Sequence, residues 1–387
     1  MKKVIFFSLF LIIGLILSQI LPSIFLDAYP PIRLTITYLL SITLAFIMIN
    51  VGREFELNKK EWKSYTADYF IAMGTAALPW LFVCVYFMFL VPWEYFGSWD
   101  TWKDNLLLSR FASPTSAGIL FSMLAAVGLK TSWVYKKIQT LAIFDDLDTI
   151  LLMIPLQIMM IGLQWELHIV LVIVALLLII GWKYLNHFRI SPKWTLMLLA
   201  SVGVVGICEF IYRTSLIISD NGVHIEVLLP AFIFGMILKN EHNETATDHK
   251  AASIISYVFM LMVGLSMPVL FNNGLDIASS KSIMPDMSWG TIAFHVIMVT
   301  ILSNIGKMAP IFFYRDRKFT ERLALSVGMF TRGEVGAGVI VIAIGYGIQG
   351  PLLTISVLTI VLNLMLTGVF IVWVKKLALK SVSTQNI

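Results

Sequence analysis

The chain has 387 residues, of which 58% are hydrophobic and only 13% charged, whereas soluble globular domains carry about 25% charged and about 45–50% apolar residues. That balance excludes a soluble protein, a nucleic-acid binder and a disulfide scaffold, and it places the chain in a lipid bilayer. The net charge of +5 is small, so the positions of the 28 Lys and Arg residues carry more meaning than their sum.

In chain order, apolar stretches fall near 4–21, 32–51, 67–90, 105–127, 138–160, 166–186, 194–218, 225–238, 251–271, 289–313, 322–346 and 352–374. They predict an all-α integral membrane protein of about 12 transmembrane helices, since about 20 apolar residues span the hydrocarbon core. With a cytoplasmic N-terminus, 21 of the 28 basic residues fall in inner segments, among them Arg53, Lys59, Lys60 and Lys63, and Arg315, Arg317, Lys318 and Arg322. Arg33, Lys103, Arg213 and Lys281 stay outside. Repeated loop after loop, this bias predicts both termini on the cytoplasmic side. Met1-Lys2-Lys3 before an apolar run also fits a signal peptide. The length of that run, and the lack of a small-x-small cleavage site after it, favour a retained helix. Linkers are short, the longest outer loop lying near 272–288, and they leave no room for a soluble regulatory domain. Cys84 and Cys208 fall in apolar runs and read as small core residues without a metal or redox role.

The fifth span breaks the apolar pattern with Phe144-Asp145-Asp146-Leu147-Asp148. Each mid-helix aspartate costs about 3 kcal/mol to insert, while each Leu, Ile or Phe returns only about 0.5 kcal/mol. Such a helix cannot face lipid on all sides, and carboxylates at that depth line an ion pathway or pair with cations. Asp145 and Asp146 lie about 11 Å from the inner end of their span, and Lys307 lies about 9 Å from the inner end of span ten, at 1.5 Å per residue. Opposite charges therefore meet at one level, and Lys307 is expected to pair with Asp145 or Asp146.

Two further spans carry helix breakers at mid-depth. Span four reads Arg110-Phe111-Ala112-Ser113-Pro114-Thr115-Ser116, and span eleven reads Thr331-Arg332-Gly333-Glu334-Val335-Gly336-Ala337-Gly338. The proline of the first and the glycines of the second weaken the helix where freed carbonyls can bind a cation. Ser113, Thr115, Ser116, Thr331, Gly333 and Glu334 are thus candidate ligands or supports. Spans three to five and ten to twelve run in opposite senses around these broken members, the pattern of an inverted-repeat transporter with two crossed broken helices.

These residues resemble the monovalent cation/proton antiporter superfamily, on the branch that holds bacterial sodium/proton antiporters and Kef-type potassium systems. The likeness is strongest from Ser113 to Pro155, through Ser113-Pro114-Thr115-Ser116, Gly128-Leu129-Lys130-Thr131, Phe144-Asp145-Asp146-Leu147 and Ile154-Pro155. Gly52-Arg53-Glu54-Phe55-Glu56-Leu57 and Arg332-Gly333-Glu334-Val335-Gly336 extend it over nearly the whole chain. The resemblance implies a core that moves against a dimerisation scaffold. Core helices would be about 67–160 and 289–374, and scaffold helices about 1–51 and 166–271, within one transmembrane domain 1–387. It implies a homodimer in a bacterial inner membrane, with no bound cofactor. It further implies that sodium is held by Asp146 with Asp145 and that Na+ and H+ are the transported species. Two aspartates with a lysine match the electrogenic members. Asp148 departs from the family pattern, and the missing soluble domain departs from the Kef-type systems.

Blander readings stand beside these. Asp148 is left between lining the pathway, being neutral, and pairing with Arg110 or Arg332. Arg332 and Glu334 read first as a core-stabilising ion pair. Glu209 and Arg213 are spaced for a local salt bridge. His295 reads as structural before it reads as a pH sensor. The function expected is export of sodium or lithium in exchange for external protons, with potassium/proton exchange as the alternative. A sodium-coupled organic-anion symporter of similar architecture comes next, disfavoured because the acidic span would repel an anion. No His-Glu-x-x-His or Gly-x-Ser-x-Gly motif points to an enzyme.

Overall fold

A computed structural model describes residues 2–25, 29–54, 62–129, 132–161, 165–191, 193–217, 223, 225, 227–239, 245–267, 287–348 and 350–383; the side chains of residues 2–4, 54, 62, 150, 161, 165–167, 334, 341, 345 and 381–383 fall outside the description. Of the motifs above, Phe55-Glu56-Leu57, Lys130-Thr131, the outer loop up to residue 286 and the Glu334 side chain lie outside the described residues.

The apolar stretches become helices. The first three are α1 (Lys2–Phe25), α2 (Tyr29–Glu54) and α3 (Trp62–Leu90). Span four is two helices, α4 (Trp99–Ser109) and α5 (Ala117–Ala126), joined through a 3-10 turn at Arg110–Ala112. Then come α6 (Trp133–Ile161), α7 (Trp165–Lys183), α8 (Trp194–Leu216), α9 (Leu228–Ile237), α10 (Ala246–Leu265) and α11 (Trp289–Gly306). Span eleven is again two helices, α12 (Phe319–Gly328) and α13 (Glu334–Gly345), before the long α14 (Pro351–Ser383). Among the described residues the one extended pairing is a single bridge between Phe188 and Leu238. The α1, α2, α3, α8, α11 and α14 segments are long and apolar enough to cross a membrane, and the protein is a multi-pass, all-α membrane protein. Apolar side chains such as Ile5, Phe70, Phe89 and Phe210 are exposed, as expected where lipid rather than water is the neighbour.

Helices fall into two compact units, Met1–Asp27 with Lys60–Met160 and Val263–Ile387, and Ala28–Lys59 with Ile161–Met262. In the second unit α2 packs along α8 and α9, and α7 packs on α9. The α2–α9 contact is backbone on backbone, because a Cβ at Gly52 would strike the Phe232 carbonyl and one at Gly235 the Ile49 carbonyl.

In the first unit α3 lies along α11 and α4, while α14 packs on α12, α11 and α1. A Cβ at Gly306 would fall on the Leu78–Pro79 backbone, so glycine there sets how closely α3 and α11 approach. The same two helices are also joined by a hydrogen bond between Tyr86 and His295, 2.7 Å long. One end of this unit is tied by Asp68 of α3, a buried carboxylate that the sequence reading passed over. Lys137 of α6 donates to its Oδ2 at 2.8 Å and the Tyr314 hydroxyl to its Oδ1 at 2.6 Å. Burial and the neighbouring Asp68 push the Tyr314 phenol above its ordinary range, keeping it a hydrogen-bond donor.

Candidate ion-binding site

Pro114 has no amide hydrogen and disfavours a helical residue before it, so α4 does not run on into α5. The chain between them frees two amides that a continuous helix would have used internally. Thr115 N donates to Asp145 Oδ2 at 2.8 Å, and Ser116 N donates to the Thr331 carbonyl at 3.0 Å. The second bond joins the two broken spans directly. Thr115 adds another, its hydroxyl donating to the Met329 carbonyl at 3.3 Å.

Span eleven breaks at Met329–Gly333, earlier than its glycine content suggests, for Gly336 and Gly338 lie inside α13. Gly333 is needed for room: a Cβ there would stand 2.8 Å from Ile119 Cδ1 and 3.0 Å from Ser116 Oγ. Gly336 also admits the other break, since its Cβ would come within 2.9 Å of the Phe111 carbonyl oxygen. Small residues therefore let the breaks cross in contact, and the N-termini of α5 and α13 begin at the junction.

Lys307 follows Gly306 at the end of α11 and is wholly buried. Its ammonium donates to both oxygens of Asp145, at 3.0 and 2.9 Å, and to Thr115 Oγ1 at 2.9 Å. Three donors are thus satisfied, the condition under which a buried lysine is tolerable. Asp145 is held by the lysine and by the Thr115 amide. Asp146 is buried beside it and interacts electrostatically with Lys307. Of the two partners the sequence left open for the lysine, the structure gives Asp145.

The two arginines are equally buried and brace the breaks. Arg110 donates to Ser113 Oγ at 2.7 Å and to the Asp148 backbone carbonyl at 3.0 Å, with its guanidinium 5.0 Å from the Trp80 ring. Ser113 passes the link to the Ala76 carbonyl of α3 at 2.6 Å. Arg332 donates to the carbonyls of Phe330 at 3.3 Å and Ser303 at 3.1 Å. Arg110 therefore reaches the backbone of Asp148, while the Asp148 carboxylate, whose Oδ2 has no hydrogen-bond partner among the described residues, interacts electrostatically with Tyr69 of α3. Tyr69 was not among the sequence candidates, and its only signal was a tyrosine next to Asp68 in an otherwise apolar run. Elsewhere, Glu209 and Arg213 form their local bridge at 2.6 Å, shared with Tyr38.

Three buried carboxylates and three buried cations thus meet at crossed helix breaks. The model of the family described as "Sodium/hydrogen exchanger, transmembrane" matches residues 4–377. The chain belongs to the sodium/hydrogen exchanger family. It is a cation/proton antiporter and a transporter rather than an enzyme, and the ions are its cargo. The exchanger's fold is similar to that of the sodium proton antiporter MjNhaP1 from Methanocaldococcus jannaschii at pH 8, with a TM-score of 0.60 and 15% identity over 97% of this chain and 92% of the other. A three-dimensional electron-microscopy structure of MjNhaP1 gives 0.59 and 15% over 96% and 90%. No curated protein matches the exchanger by sequence at a significant level.

Proposed function

We propose that this exchanger moves sodium or lithium out of the cell in return for external protons, electrogenically, with Asp146 as the carboxylate for which cation and proton compete. The observation that carries the reading is the division of labour on α6. Lys307 and the Thr115 amide take up Asp145, and the adjacent Asp146 lies buried at the same crossing. A carboxylate that holds a hard cation must be ionised, so capture of the cation and release of the proton are one event. When Lys307 leaves Asp145, that carboxylate takes a proton as well. Two protons then enter for each cation exported, and net charge moves inward. Hydroxyls and carbonyls of the breaks, including those of Ser113, Ser116 and Thr331, complete the cation shell.

In this reading the broken helices with α3, α6, α11 and α14 are the moving core, and the scaffold forms a homodimer in a bacterial inner membrane with both termini cytoplasmic. Proteoliposomes with an entrapped pH-sensitive dye provide the test. Sodium-driven proton movement is expected in the unsubstituted protein and absent in Asp146→Asn; movement that survives in Asp146→Asn sinks the site. Transport by Lys307→Ala that still responds to membrane voltage sinks the lysine's part in charge movement. Sodium, lithium and potassium compared in the same vesicles decide the cation.

A further inference from the structure

The turn from α11 to α12, residues 307–319, joins the helix end that carries Lys307 to the helix that leads into the second break. Its outward face is built from two kinds of side chain. Phe312, Phe313 and Phe319 are 70%, 48% and 58% exposed. Among them Arg315 and Arg317 are exposed and Lys318 is partly buried. From Phe312 to Arg322 four basic residues stand against Asp316 and Glu321. Phe312 is also the last residue of an apolar segment of membrane-spanning length, Trp289–Phe312, so the turn lies where hydrocarbon gives way to headgroups. At such a boundary aromatic rings rest among acyl chains, and long basic side chains reach out to the phosphates.

The backbone that displays these groups is held from beneath. Tyr314 has a left-handed conformation, with φ of 51°, which a bulky residue keeps only where its surroundings enforce it. Its hydroxyl donates to Asp68 of α3 at 2.6 Å, its ring meets Trp133 of α6 edge-on at 5.6 Å, and its carbonyl accepts from Arg317 N at 2.8 Å. The Arg317 guanidinium lies over the Trp133 ring, 4.9 Å from its centroid, and its Nε stands 3.4 Å from Asp316 Oδ2. Arg322 donates to the Ile311 carbonyl at 2.9 Å and closes the turn from the α12 side. A surface ordered in advance loses little freedom when a ligand settles on it.

We propose that this turn is a binding site for an anionic phospholipid of the surrounding bilayer. Arg315, Arg317 and Lys318 take the headgroup phosphate, and Phe312, Phe313 and Phe319 lie against the acyl chains. The excess of basic residues selects an anionic headgroup over a zwitterionic one, and the phenylalanines select a lipid over a soluble phosphate. Under the topology proposed above, the lipid belongs to the inner leaflet. Because the turn links Lys307 to the second break, its occupancy sets the rate of exchange. That effect on rate rests on the antiport reading, whereas the binding does not.

The experiment strips the purified exchanger of lipid in a neutral detergent and titrates it with phosphatidylglycerol, phosphatidylcholine or inorganic phosphate, counting bound lipid by native mass spectrometry. A basic side chain at an anionic membrane surface contributes about fivefold to binding. Arg315→Gln/Lys318→Gln, which leaves Arg317 on Trp133, is therefore expected to weaken phosphatidylglycerol binding about twenty-five-fold. Arg315→Lys/Lys318→Arg keeps the charge and should bind as the unsubstituted protein does. Lys376→Gln/Lys380→Gln on α14 removes as much charge elsewhere and should leave binding unchanged, while Phe312→Ser/Phe319→Ser should weaken it. Phosphatidylcholine bound as tightly as phosphatidylglycerol overturns the proposal, and so does an equal loss in the α14 variant, which would make net charge the cause. Displacement of the lipid by inorganic phosphate, or full binding by Phe312→Ser/Phe319→Ser, overturns it in favour of a soluble anion. In vesicles, exchange should run faster with phosphatidylglycerol than with phosphatidylcholine alone, and Arg315→Gln/Lys318→Gln should lose that difference. A difference that persists in this variant overturns the link to rate. If no cation drives proton movement in the unsubstituted protein, the antiport reading fails, and the lipid titration still decides the binding site.

Discussion

Asp145 and Asp146 are one position apart on α6 and so about 100° apart around it, and that rotation gives them different chemistry. Asp145 faces Lys307 and the freed amide of Thr115. The pair has no exposed surface on either side, which makes it costly to break. Removing one partner of a buried ion pair leaves the other charge uncompensated, a loss of about 3–5 kcal/mol. Lys307→Met is therefore expected to unfold at a markedly lower temperature near neutral pH, and adding Asp145→Asn should recover most of the loss. Cys84 and Cys208 are buried thiols, so a thiol-reactive fluorescent dye in detergent reports the unfolding. A double variant as unstable as Lys307→Met would show that the lysine acts through packing rather than charge.

At the scale of elements, helix ends do much of the joining. The α10 helix opens with a reciprocal cap: Thr245 N and its hydroxyl donate to Asp248 Oδ2 at 2.9 and 2.6 Å, and Asp248 N donates back to Thr245 Oγ1 at 3.3 Å. The other carboxylate oxygen accepts from Trp194 N at 2.9 Å, tying the starts of α8 and α10 through one side chain. Hydrogen bonds from Thr245, then the amide of Trp194, pull the Asp248 carboxyl down to about 2. Because the folded value lies below the unfolded one of about 3.9, the stabilisation is complete above that unfolded value and is lost as pH falls toward about 2. Hydrogen exchange at the Trp194 and Thr245 amides should accelerate across that window, and Asp248→Asn should exchange fast at every pH. A pH-independent rate in the unsubstituted protein would refute the assignment. The broken spans follow the same logic, since Thr115 N and Ser116 N, released by Pro114, become the ligand of a carboxylate and the bridge to the other break.

For the whole molecule, scarcity of charge selects the bilayer and the placement of charge selects direction. Lys and Arg crowd alternate loops, and the proposed orientation with both termini inside rests on that bias. A green fluorescent protein fused after Ile387 is expected to fluoresce in cells, and an alkaline phosphatase fused there to be inactive; the reverse result would invert the topology. The helical spans, the two broken ones and the unusual cost of α6 could all be read from residue order, because span length and insertion cost are local sums over neighbours in the chain. The broken spans were placed by the same signals, although glycine content overstated the break in span eleven, where Gly336 instead gives the Phe111 carbonyl room. Which aspartate Lys307 takes, the hydroxyl of Thr115 joining Lys307 to the second break, the Tyr69 interaction of Asp148 and the Asp68 clasp were decided by tertiary structure alone. Each joins side chains from helices far apart in sequence, so it depends on how α3, α6, α11 and the two breaks rotate and cross, and no local periodicity records that.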